Sequence, residues 1–412
     1  MTSRIVVGFA FAAAVAFAAS PEWGQWAGPT RDFKVAARPI SAVWPPSGPR
    51  VLWKRPLPFG SSSVVADGKR LYTMYRDGDS EVVIALESAT GNTVWEYKYP
   101  AAFLKGMNMN TGPGPHATVL IVGDRLYSAG VTGLFHCLNK KTGKALWTRR
   151  LIEEMGGTVM LRGYSNSPLR YRDTVIVMVG GKGHAIAALD LKTGATRWQG
   201  GDFANSQSSP VLINVDGRPQ VACVVDKAVA GFDPATGRVL WSHPHENRGG
   251  DITSTLIWGP DNLLFFSGAY QGGSRTLELT RRNGETVVKE LWFHSQLRVH
   301  HSNVMRIGDY VYAPSGDFAG ITYVCVNIRT GKIMWRERRM PRANALLVGD
   351  RPILLDEEGS LHLVDLSPDG LKVNCSFPIL DHLAWTPPSI AGTRLYVRDR
   401  KSIAAVELKN SE

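Results

Sequence analysis

The sequence predicts an all-β protein with the architecture of an eight-bladed β-propeller. Three observations lead to this prediction. The 412 residues include 42 glycines and 24 prolines, an excess that is typical of turn-rich β structure. A Thr-Gly-x-x-x-Trp pattern returns along the chain, and its tryptophan positions are 39 to 52 residues apart when Asn374 is counted as the last. A second series of turns gives the same number of repeats, and neither series is accompanied by helical periodicity.

The first series marks the last strand of each repeat. Full copies begin at Thr90, Thr142, Thr193, Thr236 and Thr330, a stretched copy runs from Asn283 to Trp292, and a decayed copy ends at Asn374. Glycine supplies the positive φ of the turn, and a preceding carboxylate such as Asp190 or Asp233 can cap it. We expect each indole to bury against the neighbouring blade, a contact worth about 2–3 kcal/mol. The structural docking residues are therefore Trp53, Trp95, Trp147, Trp198, Trp241, Trp292 and Trp335.

The second series consists of eight Gly/Asp turns, each followed by a β run. These turns lie at residues 67–68, 123–124, 173, 216–217, 261–262, 308–309, 349–350 and 392. Each repeat therefore has four strands, as a propeller blade does. The repeats begin with a lone Trp strand at residues 51–56 and end with strands that lack one, at residues 395–408. We expect the N-terminal strand to complete the last blade and remove the open sheet edges, so that residues 50–408 form one propeller.

The first residues have the pattern of a secretory signal. Arg4 is the only charge among the first twenty residues, residues 5–19 are apolar, and Ala16-Phe17-Ala18 has the small-x-small form of a cleavage site. A membrane span needs about 20 apolar residues, and no Cys for lipid attachment follows the apolar run. We predict a signal peptide at 1–18, an N-terminal extension at 19–49 and a tail at 409–412. The protein is expected to be periplasmic or secreted, without a transmembrane segment or lipid anchor.

The charge of the chain is positive but dispersed. The formal net charge is +11, and the densest basic run, residues 336–339, follows a strand end. A solvated loop is the favoured interpretation of that run. We expect a monomer without a nucleic-acid partner, although a basic exported protein can favour anionic partners.

The repeat motif resembles that of a known propeller superfamily. Ala-x-Asp-x-x-Thr-Gly-x-x-x-Trp stands at residues 188–198 and resembles the tryptophan-docking motif of pyrroloquinoline-quinone (PQQ) repeat propellers. The segment at residues 23–32, Trp-Gly-Gln-Trp-Ala-Gly-Pro-Thr-Arg-Asp, resembles the start of an exported bacterial branch of these proteins. The resemblance covers almost the whole chain and implies the quinoprotein alcohol dehydrogenase-like fold. That superfamily contains calcium-dependent dehydrogenases and also scaffolds that bind no quinone, such as the outer-membrane assembly lipoprotein BamB.

The resemblance to the dehydrogenases lacks their most specific feature. Those enzymes typically hold PQQ under a disulfide between adjacent cysteines and over a Trp floor, with Ca²⁺ on Glu, Asn and Asp ligands and an Asp base. Here Cys137, Cys223, Cys325 and Cys375 include no adjacent pair, and there is no Cys-x-x-Cys-His haem motif. Cys137 and Cys325 align with Ala188 and are expected to be buried small residues. PQQ and Ca²⁺ are therefore cofactors only under the dehydrogenase alternative.

Small polar residues recur where each inner strand begins, at the mouth of the axial channel. Two interpretations stay open: these residues solvate the channel and cap the strand starts, or they converge on a ligand such as a planar anionic quinone with a divalent cation, a sugar or a peptide. Adjacent residues of a strand point to opposite faces, so His300 and His301 are not expected to share an ion, and no metal site is predicted. The candidate ligand-binding residues are His116, Asn166, Gln207, Asp251, His301, Asn303, Arg342 and Trp385.

The sequence favours a non-catalytic binding or scaffolding protein of the cell envelope. Its partner would be an envelope protein or a small polar ligand on one propeller face. The alternative is a diverged PQQ-dependent oxidoreductase of the alcohol or sugar dehydrogenase type, with Asp251 as the base and Arg342 beside the quinone oxygens. A sugar-binding propeller is a third interpretation, which depends on the polar residues at the channel mouth.

Overall fold

The computed structural model describes residues 22–110, 112–246, 256–270 and 272–410. Within these ranges the chain forms thirty-three β-strands and no helix, and the strands are arranged as eight sheets. The predicted all-β propeller with eight blades is therefore confirmed. The predicted signal peptide at residues 1–18 and the candidate base Asp251 lie outside the described residues. No helix in the described ranges is long and apolar enough to cross a membrane.

The first four complete blades are antiparallel meanders whose four strands follow one another in chain order. Two strands precede them and join later blades: β1 (Lys34–Val35) and β2 (Arg50–Pro56). Blade 1 contains β3 (Val65–Asp67), β4 (Arg70–Asp77), β5 (Ser80–Glu87) and β6 (Thr93–Pro100). Blade 2 contains β7 (Leu120–Val122), β8 (Arg125–Ala129), β9 (Leu134–Asn139) and β10 (Ala145–Arg150). Blade 3 contains β11 (Leu169–Tyr171), β12 (Thr174–Met178), β13 (Ile186–Asp190) and β14 (Thr196–Gly200). Blade 4 contains β15 (Val211–Val215), β16 (Arg218–Val225), β17 (Ala228–Phe232) and β18 (Val239–Pro244).

The remaining blades repeat this plan, with additions from the N-terminal strands in the last two. Blade 5 contains β19 (Ile257–Trp258), β20 (Leu263–Gly268), β21 (Gly273–Arg282) and β22 (Glu285–His294). Blade 6 contains β23 (Met305–Ile307), β24 (Tyr310–Ser315), β25 (Thr322–Asn327) and β26 (Ile333–Glu337). Blade 7 contains β27 (Ala343–Val348), β28 (Arg351–Asp356), β29 (Ser360–Ser367) and β30 (Gly370–Pro378). Blade 8 contains β31 (Ser389–Ala391), β32 (Arg394–Arg398) and β33 (Ser402–Glu407).

The outer strand of blade 8 comes from the N-terminal part of the chain. Strand β2 pairs antiparallel with β33, and Trp53 lies opposite Ala405 in the register. Hydrogen bonds between two distant parts of the chain thus close the ring, and blade 8 reaches the same four strands as its neighbours. Closure of this kind leaves each blade covered on both faces, which is the condition for a stable propeller.

The hydrophobic core lies between adjacent blades. Strands β12 and β13 are buried along their whole length, whereas the outer strand β14 alternates between exposed and half-buried positions. One cluster joins Ile176 and Ala188 of blade 3 to Val221, Ala230 and Phe232 of blade 4. Because neighbouring blades cover both faces of the middle strands, these strands consist of almost continuous apolar runs.

All seven docking tryptophans lie on outer strands, and five of them cover the turn glycine of the next blade. Trp335 donates its Nε1–H to the carbonyl oxygen of Ser367 in blade 7 at 2.8 Å, but Gly370 in the turn of that blade has no neighbour within 4 Å. The Trp95 Nε1–H donates to the carbonyl oxygen of Lys140 at 3.1 Å, and a Cβ added to Gly143 would lie 2.5 Å from the indole. The glycine of the Thr-Gly turn therefore serves the contact between blades as well as the turn itself. The same approach occurs for Trp53 on Gly91, Trp147 on Gly194, Trp198 on Gly237 and Trp292 on Gly331.

Trp241 departs from the predicted docking arrangement. Its Nε1–H donates to Oε1 of Gln220, in its own blade, at 2.6 Å. A Cβ on Gly231, its partner in the register, would overlap the indole, so the glycine there creates the space into which the ring folds. Blade 5 offers no matching turn glycine because its outer hairpin is stretched, and Gly284 has no neighbour within 4 Å. Trp241 stays buried between blades 4 and 5, but it does not cover the turn of the next blade.

The N-terminal extension crosses the axis of the ring. Two guanidinium nitrogens of Arg31 donate to the carbonyl oxygens of Ser167 and Pro168 in blade 3, at 3.4 and 3.1 Å. Three residues later, β1 pairs in parallel with β27 of blade 7. Blades 3 and 7 stand opposite each other in an eight-bladed ring, so residues 31–35 lie across its centre. Arg31 is 3 % exposed, and burial lowers the pKa of its guanidinium to about 9.

Candidate functional site

A cavity of about 160 Å³, lined mainly by polar residues, lies near the axis, at the loops that open the inner strands. These loops come together because every blade presents its first strand to the centre. The extension contributes Trp26 to the lining. The other lining residues are Ser61, His116, Arg162, Ser165, Ser167, Gln207, Ser209, Tyr270, His301, Ser302, Asn303, Asn344, Trp385 and Pro387.

The recurrent small polar residues connect neighbouring blades. The backbone N–H of Ser63 donates to Oγ1 of Thr118 at 3.0 Å, and the N–H of Thr118 donates to Oγ of Ser167 at 3.0 Å. The series continues from the N–H of Ser167 to Oγ of Ser209 at 2.9 Å. Each bond satisfies a buried backbone donor with a side chain of the next blade. This part of the polar repeat therefore has a structural role.

Two of the candidate residues also belong to this connection between blades. Asn166 donates both amide protons, to the carbonyl oxygens of Ser206 at 2.8 Å and Ser208 at 2.6 Å, and it is absent from the cavity lining. Asn303 bridges blades 6 and 7 through two hydrogen bonds to the backbone of Ala345. Its Nδ2 donates to the Ala345 carbonyl oxygen, and its Oδ1 accepts the Ala345 N–H, both at 2.7 Å. Asn303 nevertheless lines the cavity, because its remaining surface faces the axis.

One wall of the cavity is a stack of rings. His301 stacks on Trp385 with ring centroids 4.3 Å apart and an interplanar angle of 5°. The Arg400 guanidinium lies 4.8 Å from the Trp385 centroid. The His300 ring lies 3.7 Å from His301, so the expectation that these two side chains point to opposite faces is wrong. The reason is that both residues precede β23, and His301 has a φ of +53° instead of an extended backbone.

Arg342 supports this wall from behind. Its Nη1 contacts Oε2 of Glu357 at 2.9 Å, and its Nη2 donates to the carbonyl oxygen of Asp317. The same Glu357 oxygen accepts the Trp385 Nε1–H at 2.9 Å. Arg342 is 4 % exposed and is absent from the lining, so it positions Trp385 and does not face the cavity directly.

The cavity histidines are neutral near pH 7. Burial, together with the charges of Arg162 and Arg76, lowers the pKa of His116 to about 4. Burial also lowers the pKa of His301 to about 2, with further contributions from His300, Arg342, His116 and Arg400. A neutral imidazole keeps one N–H donor and one acceptor nitrogen.

Three arginines lie at or around the cavity. Among the lining residues that the structure describes, Arg162 is charged and none is acidic. Arg76 and Arg400 lie around the mouth, where they contact Phe103 and Phe59 at 3.9 and 5.3 Å from the ring centroids.

The structure brings together five of the eight candidates: His116, Gln207, His301, Asn303 and Trp385. Asn166 and Arg342 lie behind the lining, and Asp251 lies outside the described residues. Sequence reasoning did not single out Arg162 or Tyr270, because each sits in a loop that follows no repeat. Trp26 belongs to the N-terminal motif at residues 23–32, but no periodicity indicated that this motif reaches the axis.

The fold and the cavity define a class of protein: an eight-bladed propeller of PQQ-type repeats whose N-terminal extension reaches the axial cavity. The family described as outer membrane protein assembly factor BamB matches residues 106–337. Since this match covers more than half of the chain, the protein belongs to that family.

Similar proteins include an outer-membrane assembly factor and an alcohol dehydrogenase. Outer membrane protein assembly factor BamB of Moranella endobia (strain PCIT) is 24% identical over 320 residues, which cover 74% of this chain and 72% of the relative. The crystal structure of BamB from Moraxella catarrhalis has a TM-score of 0.62 at 18% identity, covering 88% of this chain and 98% of that one. The crystal structure of quinohemoprotein alcohol dehydrogenase from Comamonas testosteroni has a TM-score of 0.69 at 13% identity, and the match covers 96% of this chain and 82% of that one. At such identities the solved structures show the fold alone.

The described residues do not fit a quinone with a bound calcium ion. Ca²⁺ takes six to eight oxygen ligands, usually with carboxylates among them, and the described lining contains no carboxylate. In the described part of the chain, no group of three or more His, Cys, Asp or Glu side chains is placed to hold a metal. One face of the Trp385 ring is stacked on His301, and two guanidinium groups lie within 6 Å of its centroid.

Proposed function

We propose that this protein is a non-catalytic scaffolding protein of the cell envelope that holds a protein partner on one propeller face. The observation that carries the proposal is the match of residues 106–337 to a family described as an outer membrane protein assembly factor. The basic, signal-like segment at residues 1–18 supports a periplasmic location. A propeller suits this role because its rigid ring presents loops from every blade on one face.

The mouth face supplies the surface that a partner protein requires. We define the mouth rim as Phe59, Phe103, Phe318 and Arg400. Phe103 is 42% exposed and Phe318 is 61% exposed, although large aromatic side chains are usually buried. The Phe318 ring lies 5.2 Å from the buried His300 ring, so the rim continues into the wall of the cavity. Aromatic and arginine side chains are the residues most enriched at the centres of protein interfaces.

Site-specific photocrosslinking in intact cells tests this assignment. A photoreactive residue is placed at Phe103 or Phe318, with Leu146 as the matched control, because Leu146 is 44% exposed on the outer strand of blade 2. We expect crosslinks from both rim positions to a protein of the outer-membrane assembly machinery, and none from the control. Equal crosslinking at all three positions, or none at the rim, would contradict the docking surface.

A genetic measurement tests the envelope role separately. Deletion of the gene is expected to lower the amount of folded outer-membrane proteins, and the wild-type chain should restore it. The double variant Phe103→Ala, Phe318→Ala should restore it less well, although both side chains are exposed and their loss should cost little stability. Unchanged outer-membrane composition in the deletion strain would overturn the scaffolding role.

A quinone titration addresses the oxidoreductase alternative. Mature protein is titrated with PQQ and Ca²⁺ while tryptophan fluorescence is followed. Stoichiometric binding that is lost in Asp251→Ala or Arg342→Ala would overturn the non-catalytic assignment. Absence of binding at tens of micromolar quinone is the expected result.

A further inference from the structure

We propose that the protein docks on a negatively charged lipid surface through the turns of blades 2 and 3 that face away from the cavity mouth. We define the basic sector as these turns, at residues 122–125, 139–145, 170–174 and 190–197. The inner strand β11 begins two residues after the cavity residue Ser167 and ends at the turn that contains Arg172. The basic sector and the mouth rim therefore lie at opposite ends of the inner strands. The inference goes beyond the scaffolding role and does not depend on it.

The fold gathers charge that is dispersed along the sequence. The basic sector contains eight Lys or Arg residues against three Asp residues, which gives it a formal charge of +5. The connections on the mouth side of the same two blades contain two Lys or Arg residues against three Asp or Glu residues. Those connections lie at residues 130–133, 151–168, 179–185 and 201–210. The two faces of these blades thus differ in the sign of their charge, and the basic sector is the one that attracts an anionic surface.

Acidic side chains neutralise only part of the basic sector. Arg197 donates to Oδ2 of Asp190 at 2.5 Å, and Lys140 is paired with Asp67 of blade 1. Five other cations are exposed and form no ion pair within the described part of the chain, so their attraction for an external anion is not offset by a bound carboxylate. These cations are Lys141, Lys144, Arg170, Arg172 and Lys192.

The docking of the tryptophan repeats holds these cations next to one another. The Trp147 Nε1–H of blade 2 donates to the carbonyl oxygen of Leu191 in blade 3 at 3.3 Å, and Leu191 directly precedes Lys192. Within blade 2, the N–H of Lys140 donates to the carbonyl oxygen of Asp124 at 2.9 Å. Turns that are hydrogen-bonded to one another cannot move apart to reduce the repulsion among their like charges. An anionic surface relieves this repulsion when it binds.

The basic sector is flat, which favours a lipid surface over a soluble anion. Two residues connect β7 to β8 and β11 to β12, and five residues form each Thr-Gly turn of these blades. On the mouth side, by contrast, the connection from β10 to β11 contains eighteen residues. A small anion needs a concave site that encloses it, whereas a bilayer contacts all the cations of a low, flat array at once. Clusters of about four to eight Lys or Arg residues are typical of protein surfaces that bind anionic lipids.

Co-sedimentation of the mature protein with lipid vesicles tests the proposal. The vesicles contain one part phosphatidylglycerol to two parts phosphatidylcholine, and pure phosphatidylcholine vesicles are the neutral control. We expect binding to the anionic vesicles alone, and it should weaken about tenfold or more as the ionic strength rises from about 0.05 M to about 0.5 M. Each cation near an anionic surface strengthens binding by about fivefold. The triple variant Lys141→Gln, Lys144→Gln, Lys192→Gln should therefore weaken binding by about tenfold or more.

A charge-matched variant separates the basic sector from the net charge of the protein. Three exposed lysines lie in connections on the mouth side, and the triple variant Lys105→Gln, Lys182→Gln, Lys227→Gln removes the same charge from that face. This variant should bind the anionic vesicles within about twofold of wild type, because its substitutions lie at the opposite ends of the blades from the docking surface. Equal weakening in the two triple variants would overturn the proposal.

Two further variants distinguish lost charge from lost folding. Lys141→Arg, Lys144→Arg, Lys192→Arg keeps the charge and should bind as wild type does. Asp173→Asn removes an exposed carboxylate from the basic sector and should tighten binding by up to about fivefold, a gain that a misfolded chain cannot produce.

Three other results would overturn the proposal. They are absence of binding to the anionic vesicles at low ionic strength, equal binding to the neutral vesicles, and binding to the soluble polyanion dextran sulfate without binding to vesicles. The last result would assign the basic sector to an anionic polymer. Failure of the crosslinking experiment at the mouth rim would leave all of these outcomes unchanged.

Discussion

Glu81 is a buried acid whose charge state is expected to control the stability of the propeller. Its side chain is fully buried between blades 1 and 2. Oε2 accepts the Tyr99 hydroxyl at 2.8 Å, and Oε1 accepts the Val131 N–H at 3.2 Å. Burial raises the pKa of Glu81 to about 7, although the two hydrogen bonds and the charge of Arg76 oppose the shift. No basic group forms an ion pair with this carboxylate in the described structure.

The direction of the effect follows from proton linkage. An acid whose folded pKa lies above its unfolded value holds more protons in the folded state, so stability falls as pH rises between the two values. The unfolded pKa is the ordinary 4.5 and the folded pKa is about 7. Each pKa unit corresponds to about 1.4 kcal/mol. Ionisation of Glu81 should therefore remove about 2–3 kcal/mol between pH 5 and pH 8.

Urea unfolding of Glu81→Gln at pH 5 and pH 8 measures this contribution. Glutamine keeps the shape of the side chain, can accept the Val131 N–H and can donate to the Tyr99 oxygen. The variant should gain about 2–3 kcal/mol relative to wild type on going from pH 5 to pH 8. The exposed Glu153→Gln variant is the matched control and should show no such change. A pH dependence in Glu81→Gln equal to that of wild type would refute the reasoning.

Two further predictions concern the docking turns and the extension. Gly143→Ala should lower the free energy of unfolding by about 2–4 kcal/mol, since its φ is +73° and the new Cβ would meet the Trp95 indole. Gly123→Ala, with a similar φ but open space around it, should lose only about 1 kcal/mol in the same urea titration, and an equal loss would argue against docking as the cause. Arg31→Met should strip two buried carbonyl oxygens of their donor and speed chymotryptic cleavage of the extension. Arg50→Met serves as the exposed control, and equal cleavage of both variants would contradict a clamp at Arg31.

The repeat chemistry could be predicted because it is local. In the turn at residues 190–194, Oδ1 of Asp190 accepts the N–H groups of Lys192 and Thr193 at 2.9 and 2.8 Å, and Gly194 has a φ of +73°. All of these contacts lie within five consecutive residues, so the spacing of the motif contains the information. Trp241 shows the limit of such reasoning. Its local motif predicts docking on the next blade, but the outer hairpin of that blade is stretched and offers no turn glycine for the indole to cover.

The cavity could be predicted only in part. Polar residues at the strand starts indicated where an axial site would lie, and five candidates do line it. Whether a given side chain faces the axis depends on contacts with the adjacent blade. Asn166 is an example, because its amide protons already bond carbonyl oxygens of the next blade and are not directed at the cavity. The position of His301 depends on a backbone conformation that the strand pattern does not contain.

The blade count and the docking of most repeats follow from local residue patterns, because most blades are antiparallel units of neighbouring strands with their own turn and their own tryptophan. The form of the axial cavity depends instead on tertiary contacts. Arg162 and Tyr270 reach it from loops without a repeat, and Trp26 reaches it from an extension that crosses the ring. These residues are distant in the chain, and they meet only because closure of the ring directs the inner edges of all blades toward one axis.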